Sequence, residues 1–399
     1  MTILQRTRIV LGVTGSIAAY KASDLASKLT QAGAAVDTIL TRSATEFVGP
    51  LTFEAITGRA VYQDTSTMTA DHRISHLALA KDASAIVVAP ATAAAIARYA
   101  QGLSDDLLTA TLLAAECPIV IAPAMESAMY AHPGTQGNLA TLRAHGVHVV
   151  EPDEGRLASG DIGRGRLPSI ETLIDAIRGA LGATGPLRGK TVVVSAGGTR
   201  EHIDPVRFVG NPATGKQGVA LARAARDVGA TVRLVLGASQ VDAPYGVETI
   251  RVSRVDEMLD ALKVATVGCH ALIMNAAVGD FRPAEASRTK IKRGGGSLSL
   301  DLEPTPDLLE ALRGDFVRVA FAAESDDHVA NARAKLQRKA VDAIVLNDIS
   351  ASDRGFAADT NAVTILLTDG RSIDVPLASK DAIAAEVLKV VVELVQSRH

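Results

Sequence analysis

Short apolar runs alternate with amphipathic stretches through most of this chain. Arg8 to Val13 (RIVLGV) reads as a buried strand, Ile17 to Ala32 as a helix stopping near Gly33, and Val36 to Leu40 as a second strand. Ala85 to Ala89, Pro118 to Ala122 and Val147 to Val150 supply further strands, with helical stretches between them. Apolar runs separated by helices predict a parallel sheet covered on both faces. The alternation then breaks: Glu151 to Pro168, rich in Gly, Arg and Asp, reads as a loop, followed by a helix near Ser169 to Leu181. Gly182 to Gly189 (GATGPLRG) has the composition of a linker. At Lys190 the pattern restarts, with a helix over Lys216 to Val228 and strands at Thr231 to Leu236, Ala271 to Met274, Val317 to Ala322 and Ala343 to Leu346. Arg288 to Leu302 looks like a basic, glycine-containing hairpin inserted in the second sheet, and Lys380 to Gln396 is an amphipathic helix. The expected organisation is two doubly wound, Rossmann-like α/β domains, 1–181 and 190–399, joined by the linker 182–189.

Composition narrows this picture. A chain of 399 residues exceeds the usual size of one core, and two domains of about 150–200 residues are expected. A net charge of −3 provides no basic field for nucleic acid. Runs of about 18 apolar residues are absent, so no membrane-spanning helix is expected. The N-terminus enters a strand pattern directly and lacks the layout of a signal peptide. Cys117 and Cys269 stand alone, outside any CxxC or Cys/His cluster, which argues against a disulfide framework or a zinc site. These features predict a cytoplasmic protein.

Each half opens with a glycine-rich strand–turn–helix segment. In the first, GVTGSIAAYK (Gly12 to Lys21), Gly12 and Gly15 permit a tight turn and close backbone approach, and Ser16 offers a hydroxyl beside a helix N-terminus. That combination suits a phosphate, although a tight packing turn would use the same residues. The loop is not GxGxxG, and the second strand ends in Thr41 rather than an acidic residue, which disfavours a dinucleotide. Further polar groups follow strands at APAT (Ala89 to Thr92), GLSDDLL (Gly102 to Leu108) and APAMESAMY (Ala122 to Tyr130).

GVTGSIAAYK, the SHLALA histidine, VVAPATAAAIARYAQGLSDDLL and PAM-x-x-x-M together resemble the flavin-dependent cysteine decarboxylase family over about Arg6 to Leu181. Its best-known member decarboxylates phosphopantothenoylcysteine in coenzyme A synthesis. The resemblance implies a flavodoxin-like flavoprotein domain that binds FMN through Gly15, Ser16, Thr41, Phe47 and Thr92, with His76 positioning substrate or moving a proton and Met129 touching substrate. It also implies a sequence in which the substrate thiol is oxidised to a thioaldehyde, carbon dioxide leaves, and the enethiol is protonated and reduced. Two positions depart from the family. Glu126 stands where an asparagine contacts the substrate carboxylate, and Ser159, in ASGDIGRGR, stands where a cysteine donates the proton. A serine hydroxyl is a far weaker acid than a thiol, which leaves Asp161, water or His76 as proton sources.

The second loop, Ser195 to Gly218, places Thr214, Gly215 and Lys216 at a helix N-terminus, again suited to phosphate; an Arg200, Asp204 and Arg207 network is the plainer reading. GGTRE-x-IDPVR, N-x-x-TGK, AAV-x-D-x-RP, KIK and FAAE, in that order over Lys190 to Gln396, are similar to the phosphopantothenate–cysteine ligase family. That resemblance implies CTP with Mg²⁺, an acyl-cytidylate, and amide formation with cysteine. It places the nucleotide on Met274, Asn275, Ala276, Asp280, Lys290, Thr305, Pro306, Asp307, Leu308, Phe321, Lys335 and Lys339. Asn211 would serve the acyl intermediate and Lys290 would neutralise phosphate charge. The combined expectation is a bifunctional, homo-oligomeric enzyme acting on phosphopantothenate, cysteine and CTP. An active ligase fused to a non-catalytic flavin- or partner-binding module is the alternative; a decarboxylase of peptide C-terminal cysteines fits less well beside the ligase half.

Overall fold

A computed structural model describes residues 3–64, 73–293, 297–324, 333, 336–348 and 358–398. The chain divides into two compact units, Thr2–Gly182 and Ala183–His399.

The first unit is built on six parallel strands: β1 (Arg8–Val13), β2 (Ala35–Leu40), β3 (Val61–Tyr62), β4 (Ala85–Ala91), β5 (Ile119–Pro123) and β6 (His148–Val149). Their order is β3-β2-β1-β4-β5-β6. Of the two common doubly wound orders, this is the Rossmann one rather than the flavodoxin one. The central strands are buried almost end to end because helices cover both faces. One face packs Leu11, Leu25, Leu29, Val87 and Ile177, and the other Val10, Ile86, Ile121, Leu107 and Leu139.

Two stretches differ from the sequence reading. The first helix is divided into a 3₁₀ turn, Ile17–Tyr20, and α1, Lys21–Gln31. The segment read as a loop, Glu151 to Pro168, contains an antiparallel hairpin of β7 (Asp153–Arg156) and β8 (Ile162–Arg166). It lacks an alternating apolar signature because both strands are largely exposed. Its glycines allow it to lie against the turn after β5. The Gly165 carbonyl accepts from Met125 N at 3.0 Å, and a Cβ on Gly165 would fall 2.0 Å from the Met125 carbonyl oxygen.

The second unit carries an eight-stranded sheet. β9 (Thr191–Ala196), β12 (Thr231–Leu236), β13 (Glu248–Arg251), β14 (Ala271–Met274), β17 (Val317–Glu324) and β18 (Ala343–Asp348) run parallel. β19 (Thr360–Leu367) and β20 (Ser372–Ser379) add antiparallel strands at one side. The order is β13-β12-β9-β14-β17-β18-β19-β20. Short antiparallel pairs decorate it: β10 (Arg200–His202) with β11 (Phe208–Gly210), and β15 (Phe281–Pro283) with β16 (Leu302–Pro304). The strands of this second pair flank the basic segment 288–302 and form their own two-stranded sheet, and the basic residues belong to the connection between them.

Candidate functional sites

In the first unit β1 pairs with β2 on one side and β4 on the other, so the strand order reverses between β1 and β4. A doubly wound sheet binds ligands at the carboxyl ends of strands where such a reversal occurs. The loops there are stitched together. The Thr14 hydroxyl donates to the Pro90 carbonyl at 2.8 Å and accepts from Thr92 N at 3.0 Å. The Ser16 hydroxyl accepts from Ala18 N, and the Thr92 hydroxyl caps the helix α4 (Ala93–Ala100) through Ala95 N. The Thr41 hydroxyl donates to the Val13 carbonyl and is 3.3 Å from Ser43 Oγ. Gly15 passes so close that a Cβ would lie 2.5 Å from Ser43 Oγ. Gly15, Ser16, Thr41 and Thr92 therefore lie on loops that meet at the switch point, while Phe47 caps the 3₁₀ turn after β2 and is exposed.

His76 is the second residue of α3 (Ser75–Asp82), and its buried Nδ1 meets no partner among the described residues. The far end of α3 is held by Asp82, whose carboxylate pairs with Arg8 and Arg73 at 2.7 Å each. Those guanidinium contacts, the Arg73 hydrogen bond first, outweigh burial and keep the Asp82 carboxyl below its usual range.

The turn after β5 carries the remaining decarboxylase candidates. Ala124 N donates to the Ala91 carbonyl, which ties this turn to the switch-point loops. Glu126 is the N-cap residue of the short helix α6 (Ser127–Ala131), and Met129 projects from α6, half exposed. The two departures from the family pattern touch each other. Ser159 N donates to Glu126 Oε1 at 3.2 Å, and Ser159 Oγ donates to Glu126 Oε2 at 3.0 Å. Asp161 N donates to Ser159 Oγ, whereas the Asp161 carboxylate takes no part in the contact. The base of the hairpin is secured separately: Glu151 accepts from Tyr130 Oη at 2.5 Å and pairs with Arg143 and Arg164. Ser127 Oγ, beside Glu126, is buried and without a hydrogen-bond partner among the described residues.

In the second unit the order reverses between β9 and β14. A cavity of about 450 Å³ opens there, lined by Asn211, Met274, Asn275, Ala276, Asp280, Thr305, Pro306, Asp307, Leu308, Phe321 and Lys339 from the sequence-derived set. Its walls are tied by short bonds. Ser195 Oγ accepts from the backbone N–H groups of Asn275 and Ala276, Asn211 Nδ2 donates to the Val278 carbonyl, and the Thr305 hydroxyl donates to the Gly279 carbonyl at 2.6 Å. The Asp307 side chain caps α11 (Leu308–Ala311).

Two sequence-derived cations are placed differently from a shared phosphate cluster. Lys339 Nζ is committed to Asp307 and Glu310, and these two carboxylates raise its affinity for its proton. Lys290 does not line the cavity; its segment is fixed through Ile291, whose N–H donates to Asp204 Oδ2 and whose carbonyl accepts from Arg207 at 2.5 Å. Lys335 lies outside the described residues. Lys216, Asn347, Asn361 and Lys380 complete the cavity wall. Lys380, at the start of the C-terminal helix, is buried, and burial followed by the nearby Lys216 charge lowers its pKa. Nothing local marks it in sequence: it reads as the first polar residue of an amphipathic helix.

Neither thiol takes part in either site. Cys117 is half-buried and Cys269 buried; burial raises both, Cys269 to about 11. Among the described residues no group of three His, Cys, Asp or Glu is placed to hold a metal, and no helix is long and apolar enough to cross a membrane.

Comparison with known proteins assigns both halves. Residues 2–182 match the family model described as Flavoprotein, and residues 187–395 the one described as DNA/pantothenate metabolism flavoprotein C-terminal domain. The chain is 44% identical over 398 residues to the coenzyme A biosynthesis bifunctional protein CoaBC of Bacillus subtilis (strain 168), covering 98% of each. It is 41% identical over 413 residues to the protein of the same name from Mycolicibacterium smegmatis, covering 98% of this chain and 99% of that one. A solved C-terminal domain of a CoaBC protein matches 53% of this chain and 99% of its own, at 33% identity and a TM-score of 0.46.

Proposed function

Because this chain belongs to the family of bifunctional coenzyme A biosynthesis proteins, we propose how its two sites divide the work. It is a two-activity enzyme of coenzyme A biosynthesis, with a flavoprotein decarboxylase half and a ligase half. The observation that carries this reading is the end-to-end match to bifunctional relatives, with a switch-point site in each half.

The ligase half couples cysteine to 4′-phosphopantothenate. The substrate carboxylate attacks the α-phosphorus of CTP, pyrophosphate leaves, and the cysteine amine displaces CMP from the acyl-cytidylate. The cavity between β9 and β14 supports this assignment by its size, its backbone-lined wall and its lysines. With Lys339 held by Asp307 and Glu310, the triphosphate charge falls on Lys216 and Lys380 and on the first turn of α9 (Lys216–Asp227). Lys216 shares an exposed contact with Asp359, which an incoming phosphate can exchange. Mg²⁺ enters bound to the nucleotide. Lys290, whose segment is clamped outside the cavity wall, is assigned to neutralise phosphate charge once the nucleotide is bound, and Asn211 to serve the acyl intermediate.

The decarboxylase half takes the ligase product to 4′-phosphopantetheine. Its switch-point loops suit FMN: Gly15 permits close backbone approach, Ser16 and Thr92 offer hydroxyls at helix starts, and His76 Nδ1 is unpartnered among the described residues. When bound, FMN supplies a ring that accepts and returns a hydride. The chain's own contribution is to hold that ring, to orient substrate through His76 and Met129, and to manage protons. We place the enzyme in the cytoplasm as a homo-oligomer, a state that sedimentation would read.

Incubation with phosphopantothenate, cysteine, Mg²⁺ and CTP, followed by mass, tests both halves. The expected products are pyrophosphate, CMP, carbon dioxide and phosphopantetheine. Accumulation of phosphopantothenoylcysteine without carbon dioxide would leave only the ligase, and equal turnover with ATP would remove the CTP assignment.

A further inference from the structure

Replacing a carboxylate by hydrogen on carbon requires a proton donor at the carbon that loses carbon dioxide. The donor must carry an exchangeable proton, lie beside the switch-point crevice and recover its proton from solvent. Ser159 alone does not qualify, because an aliphatic hydroxyl is too weak an acid. The Asp161 carboxylate takes no part in the contact at the hairpin tip. Glu126 is the carboxyl in position to supply that proton. It follows β5 at the carboxyl edge of the sheet, on a turn bonded to Ala91, and it is only partly exposed. Both of its carboxylate oxygens are held from the hairpin tip by Ser159 N and Ser159 Oγ. Because Ser159 Oγ accepts from Asp161 N, its own proton is directed to Glu126.

Resting on the decarboxylase reading above, we propose that the Glu126 carboxyl is the acid that protonates the substrate carbon, with Ser159 as its positioning residue. After carbon dioxide leaves, the electron pair of the broken C–C bond resides in the enethiolate. The Glu126 O–H bond breaks and a C–H bond forms at the carbon that lost carbon dioxide, using the C=C pair, while a sulfur lone pair forms C=S. The hydride withdrawn from the substrate at the start then returns to the sulfur-bearing carbon. Overall the step is redox-neutral and consumes one proton. The Glu126 carboxylate left behind is stabilised by two Ser159 donors and is recharged by solvent.

The test uses full-length, flavin-loaded protein without oxygen, supplied with phosphopantothenoylcysteine. Wild type should release carbon dioxide through many turnovers; failure to do so would overturn the decarboxylase reading itself rather than this assignment. Glu126→Gln should release about one carbon dioxide per flavin and stop, with the flavin bleached and the organic product about 2 Da lighter than phosphopantetheine. Ser159→Ala should turn over several-fold more slowly and leak that lighter product. Unchanged turnover by Glu126→Gln, or no carbon dioxide with the flavin still oxidised, would overturn the proposal. If Glu126→Gln fails to retain flavin, Ser159→Ala decides alone, and a normal product at a normal rate refutes it. Flavin-free Glu126→Ala provides an independent check of the contact: with the side-chain acceptor gone, amide exchange at Ser159 should quicken, and unchanged exchange would remove the positioning role.

Discussion

Asp204 shows how one side chain can hold a distant segment it does not belong to. Burial opposes its charge, but the N–H groups of Val206, Arg207 and Ile291 and the Arg207 guanidinium prevail and bring its pKa down to about 2. Its unfolded value is about 3.9. A carboxyl with a depressed native pKa contributes stability that is complete above its unfolded value and lost as pH falls toward its native value. The thermal midpoint of the ligase unit should therefore fall between about pH 4 and 2, and Asp204→Asn should lower it at neutral pH while flattening that fall. Calorimetry across this range checks both. The same substitution frees Ile291, so it should also weaken CTP-dependent pyrophosphate release. Lys290→Gln should abolish that release outright and leave decarboxylation of supplied phosphopantothenoylcysteine intact. Conversely, His76→Asn should still form phosphopantothenoylcysteine but release no carbon dioxide, as product mass would show.

At the scale of elements, the parallel strands were legible because both of their faces are covered, and the resulting apolar runs have no other use. The hairpin of β7 and β8 was not. Its residues are Gly, Arg and Asp, and what keeps it folded is contact with the turn after β5 rather than a periodic pattern. β19 and β20 also escaped notice. Ser372 to Ser379 keeps only Val375 buried, and Thr360 to Leu367 alternates weakly before ending in a buried run. Site loops were legible where glycines and strand ends coincide, as at Gly15 and Asn275. The contact between Glu126 and Ser159, 33 positions apart, was not, because only the hairpin brings them together. Gly165→Ala tests the hairpin's seat: the added Cβ would meet Met125 O at 2.0 Å. Overpacking costs about 1–3 kcal/mol, so this variant should lower the first melting transition and decarboxylation, with ligation unchanged.

At the scale of the whole molecule, each unit has its own sheet and its own apolar clusters. Chains covering 1–182 and 183–399 should each give a cooperative melt, and a mixture of the two should carry substrate through both reactions at a rate set by their concentrations. A fragment that melts without a transition would show that its core depends on the other. The half-buried Cys117 and the buried Cys269 have a consequence for the environment in which such an enzyme works. It consumes one thiol and produces another, both of which oxidise to disulfides in air. Disulfide exchange needs an accessible thiolate, and with burial raising both Cys117 and Cys269, the protein presents a poor target. Mixed disulfides with its own substrates should form slowly on the folded chain and rapidly only after denaturation. An aromatic disulfide reagent would reveal this as two thiols, each reacting only when the unit that carries it unfolds.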